Sequence, residues 1–410
     1  MKKIALLHFA YPPSIGGVEV FVKEQAEILA GLGYEITVIT GTGSTKDPNI
    51  KIVVIPEIQS LYNTDKALYD EILSKGTKSE KFIQLSKIIE DKINKELENQ
   101  DVIIVHNMLS LTHNIPFIYV FKNYVLKHQE KRVISWIHDH KYIGFDKVRI
   151  NDFSLPDDVN SLLTEKIDDV KYVSISESLK NLITKVTNLT TEEIEVIPDG
   201  VNIKYFLEID DSVWKIYQDN NFLERFPIIL SPVNIIERKN IEFSLEILFH
   251  IKKVYPNFVY ILTGKISHHK EGEKYLEMLK EKITKYDLKN NVIFLNDFFK
   301  RSLHKSEVHD FYSLCDVIFY FSKSENFGLP LLEATLTKTP IFLSNLRVFK
   351  EVGGDNFTYV DCENTKVDVV AKNVVDFIEN NKLISMNKVV KENYNLVNII
   401  KNKLIPLIER

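Results

Sequence analysis

The stretch Ser324-Glu325-Asn326-Phe327-Gly328-Leu329-Pro330-Leu331-Leu332-Glu333-Ala334 decides how the second half of this chain folds. The apolar run before it, residues 316–321, predicts a buried strand. A helix is expected to begin at about Gly328, because Pro330 then occupies a first-turn position where its missing N–H costs nothing. A strand, a glycine turn and an exposed helix N-terminus together present backbone N–H groups that suit a phosphate or diphosphate.

Two carboxylates bracket this turn: Glu325 precedes the helix and Glu333 lies inside it. A carboxylate within reach of a bound nucleotide sugar can accept hydrogen bonds from ribose or sugar hydroxyls, or can stabilise positive charge at a reacting sugar carbon. Strand-turn-helix units with flanking glutamates occur throughout α/β proteins, so the rest of the chain has to support this interpretation.

Composition sets the class of protein. With 410 residues, 44% of them hydrophobic and 27% charged, the chain predicts two globular domains. The balance of 52 basic and 57 acidic residues gives a net charge of −5, which favours neither nucleic acid nor an anionic membrane as a partner. Cys315 and Cys362 lack metal-ligand spacing and are interpreted as reduced core thiols. The short apolar start is interpreted as a strand rather than a signal peptide, and a cytoplasmic location is expected.

The first half alternates strands and helices from its start. Residues 3–9 predict a strand, residues 18–29 an amphipathic helix and residues 35–40 a second strand, which together make a βαβ unit and imply a parallel sheet. Gly16 and Gly17 lie between the first strand and the helix, where they permit close approach of a ligand to the backbone. Further strands are predicted at residues 52–55, 101–105, 132–137, 171–176 and 194–197.

Polar side chains follow two of these strands. His106 and Asn107 come after one, and His138 and Asp139 after the next. Ligands of open α/β sheets lie beyond the carboxyl ends of the strands, so both histidines are candidates for a site. Asp139 either orients His138 or caps the segment that follows.

The second half repeats the alternation. Residues 202–226 show no core periodicity, so the crossing between domains is placed there. Strands are then predicted at residues 227–232, 258–262, 292–295, 316–321 and 341–344. The tail from about residue 385 predicts a helix whose apolar stripe must pack on another part of the protein.

Taken together, these motifs resemble retaining GT-B glycosyltransferases, and most of all glycosyltransferase family 4, the glycosyl transferases group 1. Glu325 and Glu333 match the Glu-x7-Glu donor motif, the Tyr-Pro-Pro loop that ends in Gly16-Gly17 matches the amino terminus of the family, and residues 346–354 match a further stretch. The resemblance implies two Rossmann-like, doubly wound parallel-sheet domains that face each other across a cleft. Residues 1–205 would bind the acceptor, residues 206–384 the donor, and a helix at about 385–410 would cross back to the first domain.

The resemblance also implies roles for individual residues. Glu333 would hold the ribose of the donor, Glu325 would bind the sugar and stabilise the transition state, and His138 would contact the donor sugar. His106 and Asn107 match acceptor-side positions. The other residues with an expected donor-binding role are Gly16, Gly17, Asn234, Arg238, Lys239, Asn326, Phe327, Gly328 and Leu329.

One position departs from the family pattern. The family has Gly-Arg after the first strand of the second domain and a Lys-Asn or Lys-Gly pair five residues later. Lys239-Asn240 fits the pair, but Val233-Asn234 occupies the place of Gly-Arg. Either Arg238 substitutes in part for the missing arginine, or Asn234 contacts the phosphate or the sugar. Lys265 is a further cation at a strand end.

The resulting hypothesis is a retaining hexosyltransferase that uses a nucleoside-diphosphate sugar and a hydroxyl of a sugar, a small glycoside or a lipid-linked acceptor. Cationic side chains and backbone amides can stabilise the leaving diphosphate, so no metal site and no cofactor are expected. The alternative is a non-catalytic nucleotide-sugar-binding accessory or sensor protein. The sequence leaves open a peripheral contact with the inner face of the membrane, a monomeric or homodimeric state, and the identities of nucleotide, sugar and acceptor.

Overall fold

The computed structural model describes residues 2–14, 16–144, 147–264, 270–299 and 301–409. The chain forms two compact units, the first made of Met1–Gly200 and Tyr394–Arg410 and the second of Val201–Asn393. Each unit is built on one parallel sheet whose strand order reverses direction in the middle. Because parallel crossovers are right-handed, this reversal places helices on both faces of each sheet. The predicted pair of doubly wound α/β domains is confirmed.

The first unit contains a seven-stranded parallel sheet and a small antiparallel ribbon. Its strands are β1 Lys3–His8, β2 Glu35–Thr40, β3 Ile50–Val54, β4 Val102–His106, β5 Arg132–Ile137, β6 Ile143–Gly144, β7 Lys147–Val148, β8 Val170–Ser174 and β9 Ile194–Val196. The sheet order is β3-β2-β1-β4-β5-β8-β9, and β6 pairs with β7 in the ribbon. The order reverses between β1 and β4, so a crevice opens beyond their carboxyl ends.

Helices cover both faces of this sheet. They are α1 Gly17–Gly31, α2 Leu61–Thr64, α3 Lys66–Lys75, α4 Glu80–Leu97, α5 Ile115–Lys127, α6 Asp157–Thr164 and α7 Glu177–Val186. Successive residues of β1 enter different cores: Ala5 and Leu7 pack in one cluster, and Ile4 and Leu6 in the other. Burial on both faces explains why the strand is a continuous apolar run.

The C-terminal segment packs in the first unit. Its helices Leu396–Ile399 and Ile405–Glu409 flank a π-helical turn, and their apolar stripe joins the core cluster of Ile4 and Leu6. The segment starts at Tyr394 rather than at about residue 385. The preceding helix stays in the second unit, because Lys391 Nζ lies 2.8 Å from Asp316 Oδ1 and both side chains are buried.

The second unit contains a six-stranded parallel sheet in the order β12-β11-β10-β13-β14-β15. Its strands are β10 Ile228–Ser231, β11 Val259–Leu262, β12 Val292–Phe294, β13 Val317–Tyr320, β14 Ile341–Ser344 and β15 Thr358–Val360. Its helices are α8 Ile203–Phe206, α9 Asp211–Asp219, α10 Ile241–Ile251, α11 Lys270–Lys285, α12 Lys305–Leu314, α13 Leu329–Leu336, α14 Arg347–Gly353, α15 Val367–Asn380 and α16 Lys382–Asn393.

The stretch 202–226 is not the irregular crossing that its composition suggests. It carries α8 and α9, and α9 buries Val213, Trp214, Ile216 and Tyr217 in the core of the second unit. The units therefore divide after Gly200 rather than after residue 205. The helix was missed because it spans only nine residues, too few for a clear apolar repeat.

Candidate active site

The turn between β13 and α13 has the local structure that the sequence predicts. The helix begins directly after Gly328, and Pro330 lies in its first turn. Gly328 has a φ of +108°, a left-handed conformation that favours glycine, and a Cβ atom there would lie 2.8 Å from the buried Phe349 ring. The side chains of Asn326, Phe327 and Leu329 around this helix start are exposed. The helix N-terminus is therefore open to a ligand.

The Glu325 carboxylate binds two cationic side chains at this turn. Oε2 accepts a hydrogen bond from Arg238 Nη1 at 2.9 Å, and Oε1 accepts from Lys239 Nζ. Ser322 Oγ donates to Oε1 at 2.7 Å. We call these four side chains the Glu325 cluster. Both cations come from the turn Glu237–Lys239, which follows β10, so two strand ends of the sheet supply the cluster.

Burial and charge make the Glu325 cluster a strong anion-binding arrangement. Only 9% of the Glu325 side chain and 10% of the Lys239 side chain are exposed, whereas Arg238 is 48% exposed. Burial alone would raise the pKa of Glu325, but hydrogen bonds from Lys239, Ser322 and Arg238 hold the pKa below its ordinary value. The carboxylate is therefore ionised at neutral pH and offsets only one of the two positive charges.

Glu333 has a different environment. It lies on α13 with an exposed side chain, and its Oε2 accepts a hydrogen bond of 2.8 Å from the hydroxyl of Tyr312. Tyr312 is buried, and burial together with the neighbouring Glu333 raises the pKa of Tyr312 far above its ordinary value. The tyrosine therefore donates its proton permanently and fixes one carboxylate oxygen.

Asn234 takes the place where the family has arginine. Its side chain is exposed, next to the buried Val233. The loop packs closely on Gly264, where a Cβ atom would lie 2.0 Å from the Val233 carbonyl oxygen and 2.3 Å from Asn234 Cα. The backbone here is fixed by this contact, and the guanidinium that reaches Glu325 is that of Arg238 instead. Lys265, the further cation expected from the sequence, lies outside the described residues.

In the first unit the two histidines predicted at strand ends meet. His106 Nδ1 lies 3.1 Å from His138 Nε2, and His138 Nδ1 lies 3.1 Å from Asp199 Oδ2. At the far end of this row, His106 Nε2 lies 3.0 Å from the amide of Gln25. His106 is completely buried and contacts His138 and Gln25, and its acceptor-side role stays a prediction.

The positions of the protons along the row from Asp199 through His138 and His106 to Gln25 follow from the groups at its two ends. The Asp199 carboxylate accepts a hydrogen bond, so His138 Nδ1 donates, and in the tautomer with one proton its Nε2 accepts from His106 Nδ1–H. His106 is neutral, since burial and the neighbouring His138 lower its pKa well below the ordinary value. Its Nε2 is then an acceptor and requires a donor from Gln25. Gln25 is placed with Oε1 at 3.0 Å from His106 Nε2 and with its amide nitrogen buried and without a partner among the described residues, so exchanging the two ends of the amide supplies the donor and pairs both groups.

The side chains of Asn107 and Asp139 accept hydrogen bonds from backbone N–H groups around His138. Asn107 Oδ1 accepts from the backbone N–H groups of His138 at 2.7 Å and Asp139 at 2.9 Å. Asp139 Oδ1 accepts from the N–H of His140 at 2.7 Å. Of the two roles considered for Asp139, capping is therefore the one observed, and Asp199 orients His138.

The glycine pair begins α1. A Cβ atom on Gly16 would lie 2.1 Å from Glu19 Oε2, because the Glu19 carboxylate folds back over the start of its own helix. Gly17 has open space around it and lines a cavity of about 760 Å³ beyond the carboxyl ends of β1, β2, β4 and β5. The space beside Gly17 allows the close ligand approach that the sequence suggested.

Sequence reasoning missed several residues that complete these sites. Ser322, Tyr312, Asp199 and Gln25 each orient a predicted site residue. Among the described residues, no group of three or more His, Cys, Asp or Glu side chains is arranged to hold a metal ion. In the same part of the chain, no helix has the length and apolar character needed to cross a membrane.

Comparison with known proteins gives a family match for the second unit. Residues 212–395 match the family model "Glycosyl transferases group 1". A mannosylglucosylglycerate synthase of Petrotoga mobilis is 27% identical over 372 residues, which cover 85% of this chain and 84% of that protein. An O-antigen chain mannosyltransferase of Salmonella typhimurium is 27% identical over 211 residues, 50% of this chain and 51% of that protein.

Among solved structures, a glycosyltransferase from Rickettsia africae aligns with 19% identity and a TM-score of 0.39, covering 100% of this chain and 98% of that one.

Proposed function

We propose that this protein is a retaining hexosyltransferase that uses a nucleoside-diphosphate sugar, because residues 212–395 match the family model of glycosyl transferases group 1. The observation that carries the proposal is the Glu325 cluster, in which an ionised carboxylate holds two cations beside an open helix N-terminus. The relatives named for mannosyl transfer make mannose the first sugar to test. The acceptor group is a hydroxyl of a sugar, a small glycoside or a lipid-linked saccharide.

The cluster supplies what departure of a nucleoside diphosphate requires. The bond between the anomeric carbon and the diphosphate oxygen breaks, so negative charge grows on the diphosphate and positive charge on the sugar. Lys239, Arg238 and the backbone N–H groups at the start of α13 stabilise the first charge, and Glu325 stabilises the second. Both side-chain hydrogen bonds of Arg238 within the described structure use Nη1, and a guanidinium has five N–H donors. Its other donors are therefore available to the diphosphate while Nη1 holds Glu325.

Arg238 takes over the task of the arginine that the family has at position 234. Its guanidinium binds the same carboxylate as Lys239, and nearly half of its side chain is exposed, so it can turn towards a diphosphate. We therefore assign the diphosphate to Arg238 and Lys239, and a sugar or phosphate contact to Asn234. With two cations and the helix N-terminus available, the proposed reaction needs no metal ion and no cofactor.

Glu333 is assigned to the ribose hydroxyls. Tyr312 fixes Oε2, which leaves the exposed carboxylate oriented for a two-oxygen contact with a diol. His138 is assigned to the transferred sugar, in the tautomer set by Asp199. In the proposed front-face course the acceptor oxygen bonds to the anomeric carbon on the side that the diphosphate leaves, and the acceptor proton passes to the leaving phosphate.

A metal-free transfer assay tests the proposal. Purified protein is incubated with chelator, with the mannose and glucose derivatives of GDP and UDP, and with a mixture of saccharide acceptors, and nucleoside diphosphate release is followed. Release from one donor that Glu325→Gln abolishes supports a transferase. Glu237→Gln is the matched control, because Glu237 neighbours the cluster in sequence but its carboxylate pairs with Lys323, at 3.7 Å, and not with a member of the cluster.

Donor binding without any turnover would instead identify the protein as a nucleotide-sugar-binding accessory or sensor. Thermal stabilisation by the same four donors measures that binding independently of transfer. A retained anomeric configuration in the product, read by NMR, separates retention from inversion. A covalent glycosyl-enzyme adduct would overturn the front-face course.

A further inference from the structure

The cavity of about 760 Å³ in the first unit has a lining that fits a carbohydrate. Its size lies within the range of small-molecule sites, roughly 300–1,000 Å³. Hydrogen-bonding side chains that include Gln59, Asn63 and Asn107 line it together with the rings of Phe9 and Tyr69. Amide and hydroxyl groups beside aromatic rings match a ligand that has hydroxyl edges and an apolar ring face.

The charge of the lining selects the kind of carbohydrate. No lysine or arginine is among the described residues that line the cavity, whereas Glu19 and Asp139 both contribute to it. The nearby Lys66 is paired with Asp70 at 2.7 Å, and Lys141 Nζ lies 3.8 Å from the centre of the Phe153 ring. An anionic ligand would meet two carboxylates here without a permanent cation to balance it.

His8 and Glu19 form the most specific polar pair of the cavity. His8 Nδ1 lies 2.9 Å from the carbonyl oxygen of His106 and donates to it, which leaves Nε2 available to a ligand in the cavity. Nε2 lies 3.8 Å from Glu19 Oε1, which is too long for a direct hydrogen bond. Two polar atoms at this separation match two neighbouring hydroxyls of one ligand, since a hydroxyl can both donate and accept a hydrogen bond.

We propose that this cavity binds the acceptor and that the acceptor is a neutral saccharide, held through a vicinal diol by His8 and Glu19. The role as acceptor rests on the proposed function, whereas the binding of a neutral saccharide follows from the cavity alone. Free sugars and neutral glycosides fit this site, while sugar acids, sugar phosphates and diphosphate-linked saccharides do not.

The test is a matched pair of ligands on the full-length protein. Saturation-transfer NMR compares glucose with glucuronate, which differ only in a carboxylate, and mannose with mannose 6-phosphate. Binding of the neutral member of each pair and not of the anionic member is expected. Equal or stronger binding of the anionic members would overturn the inference, and this comparison needs no variant.

Variants then locate the binding. Glu19→Gln removes the carboxylate charge of the pair and His8→Phe removes its ring nitrogens. A loss of about tenfold or more in saccharide affinity is expected for Glu19→Gln, the typical effect of a lost charge-assisted hydrogen bond, and a loss in the same direction for His8→Phe. Glu27→Gln is the control: it lies on the same helix but pairs with Lys23 at 3.6 Å and does not line the cavity. Unchanged affinity in both cavity variants would show that the saccharide binds elsewhere.

Donor binding separates this inference from the proposed function. If nucleotide sugars bind and react but only anionic acceptors are used, the inference is wrong and the transferase stands. If neutral saccharides bind through Glu19 but no nucleotide sugar binds, the proposed function is wrong and the saccharide site stands.

Discussion

Arg238 Nη1 and Glu325 Oε2 lie 2.9 Å apart although 87 positions separate the two residues in sequence. The contact brings a guanidinium to the place where the neighbouring Lys239 also binds the carboxylate. An arginine four positions after the family's usual one thus reaches Glu325. This contact is why we propose that Arg238 substitutes for the arginine expected at position 234.

Replacing this arginine weakens donor binding. For Arg238→Ala we expect donor KM to rise by about 10- to 100-fold, since a hydrogen bond to a charged group contributes about 1.5–3 kcal/mol. Adding Asn234→Arg to this variant should restore much of the loss, because the family's guanidinium position is then filled. Steady-state kinetics of the single and double variants measure both effects. A double variant no better than Arg238→Ala would contradict the substitution of one arginine by the other.

The Tyr312 hydroxyl donates to Glu333, the residue proposed to hold the ribose. Tyr312→Phe removes the 2.8 Å hydrogen bond and frees the carboxylate to rotate. We expect a donor KM several-fold higher, with kcat within about twofold, because the ribose is remote from the reacting carbon. We also expect a smaller preference for the ribose donor over its 2′-deoxy and 3′-deoxy analogues.

Tyr217→Phe provides the control for this change. The Tyr217 hydroxyl is buried in the same unit and has no hydrogen-bond partner among the described residues. Its removal should leave donor KM and deoxy-sugar discrimination unaltered. If both tyrosine variants behave alike, the effect of Tyr312 is general destabilisation rather than orientation of Glu333.

Asp199 sets the tautomer of His138. In Asp199→Ala the imidazole loses the acceptor of its Nδ1 proton, so its orientation and tautomer are no longer fixed. We expect kcat to fall by about tenfold or more, as for a lost hydrogen bond to a charged group. Asp199→Asn should keep much of the activity, because its amide oxygen still accepts from Nδ1. A loss in the asparagine variant equal to that in the alanine variant would show that charge rather than tautomer matters.

The sequence predicted the parts of the site that depend on neighbouring residues. Gly328 and Pro330 fix the start of α13 by local stereochemistry, and alternating apolar runs fix the strands, so both could be derived without coordinates. Contacts between distant segments could not. The link between Asp199 and His138 spans 61 positions, so no local pattern in the sequence predicts it. The resemblance identified the two glutamates but not Tyr312, because the motif does not include the residue that donates a hydrogen bond to Glu333.

Acid should loosen the second unit through Glu307. Its buried carboxylate accepts from Arg301 Nη2 at 2.6 Å, from the His304 N–H at 2.7 Å and from Ser212 Oγ at 2.9 Å. The hydrogen bond from Arg301 is the largest cause that lowers the pKa of Glu307 from 4.5 to about 2. A lowered pKa stabilises the folded state above the unfolded pKa, so this contribution is complete above about pH 5 and is lost as the pH falls towards 2.

Glu307→Gln isolates this contribution. We expect the variant to unfold at a lower temperature than the native protein at pH 7, and the difference to shrink steadily as the pH is lowered through 4 to 3, because the native carboxyl is then losing its charge as well. Differential scanning calorimetry at several pH values measures the difference. Glu273→Gln, on the exposed face of α11, should show no such trend. A difference that stays constant with pH would mean that Glu307 stabilises the contact of α12 with α9 by shape and not by its charge.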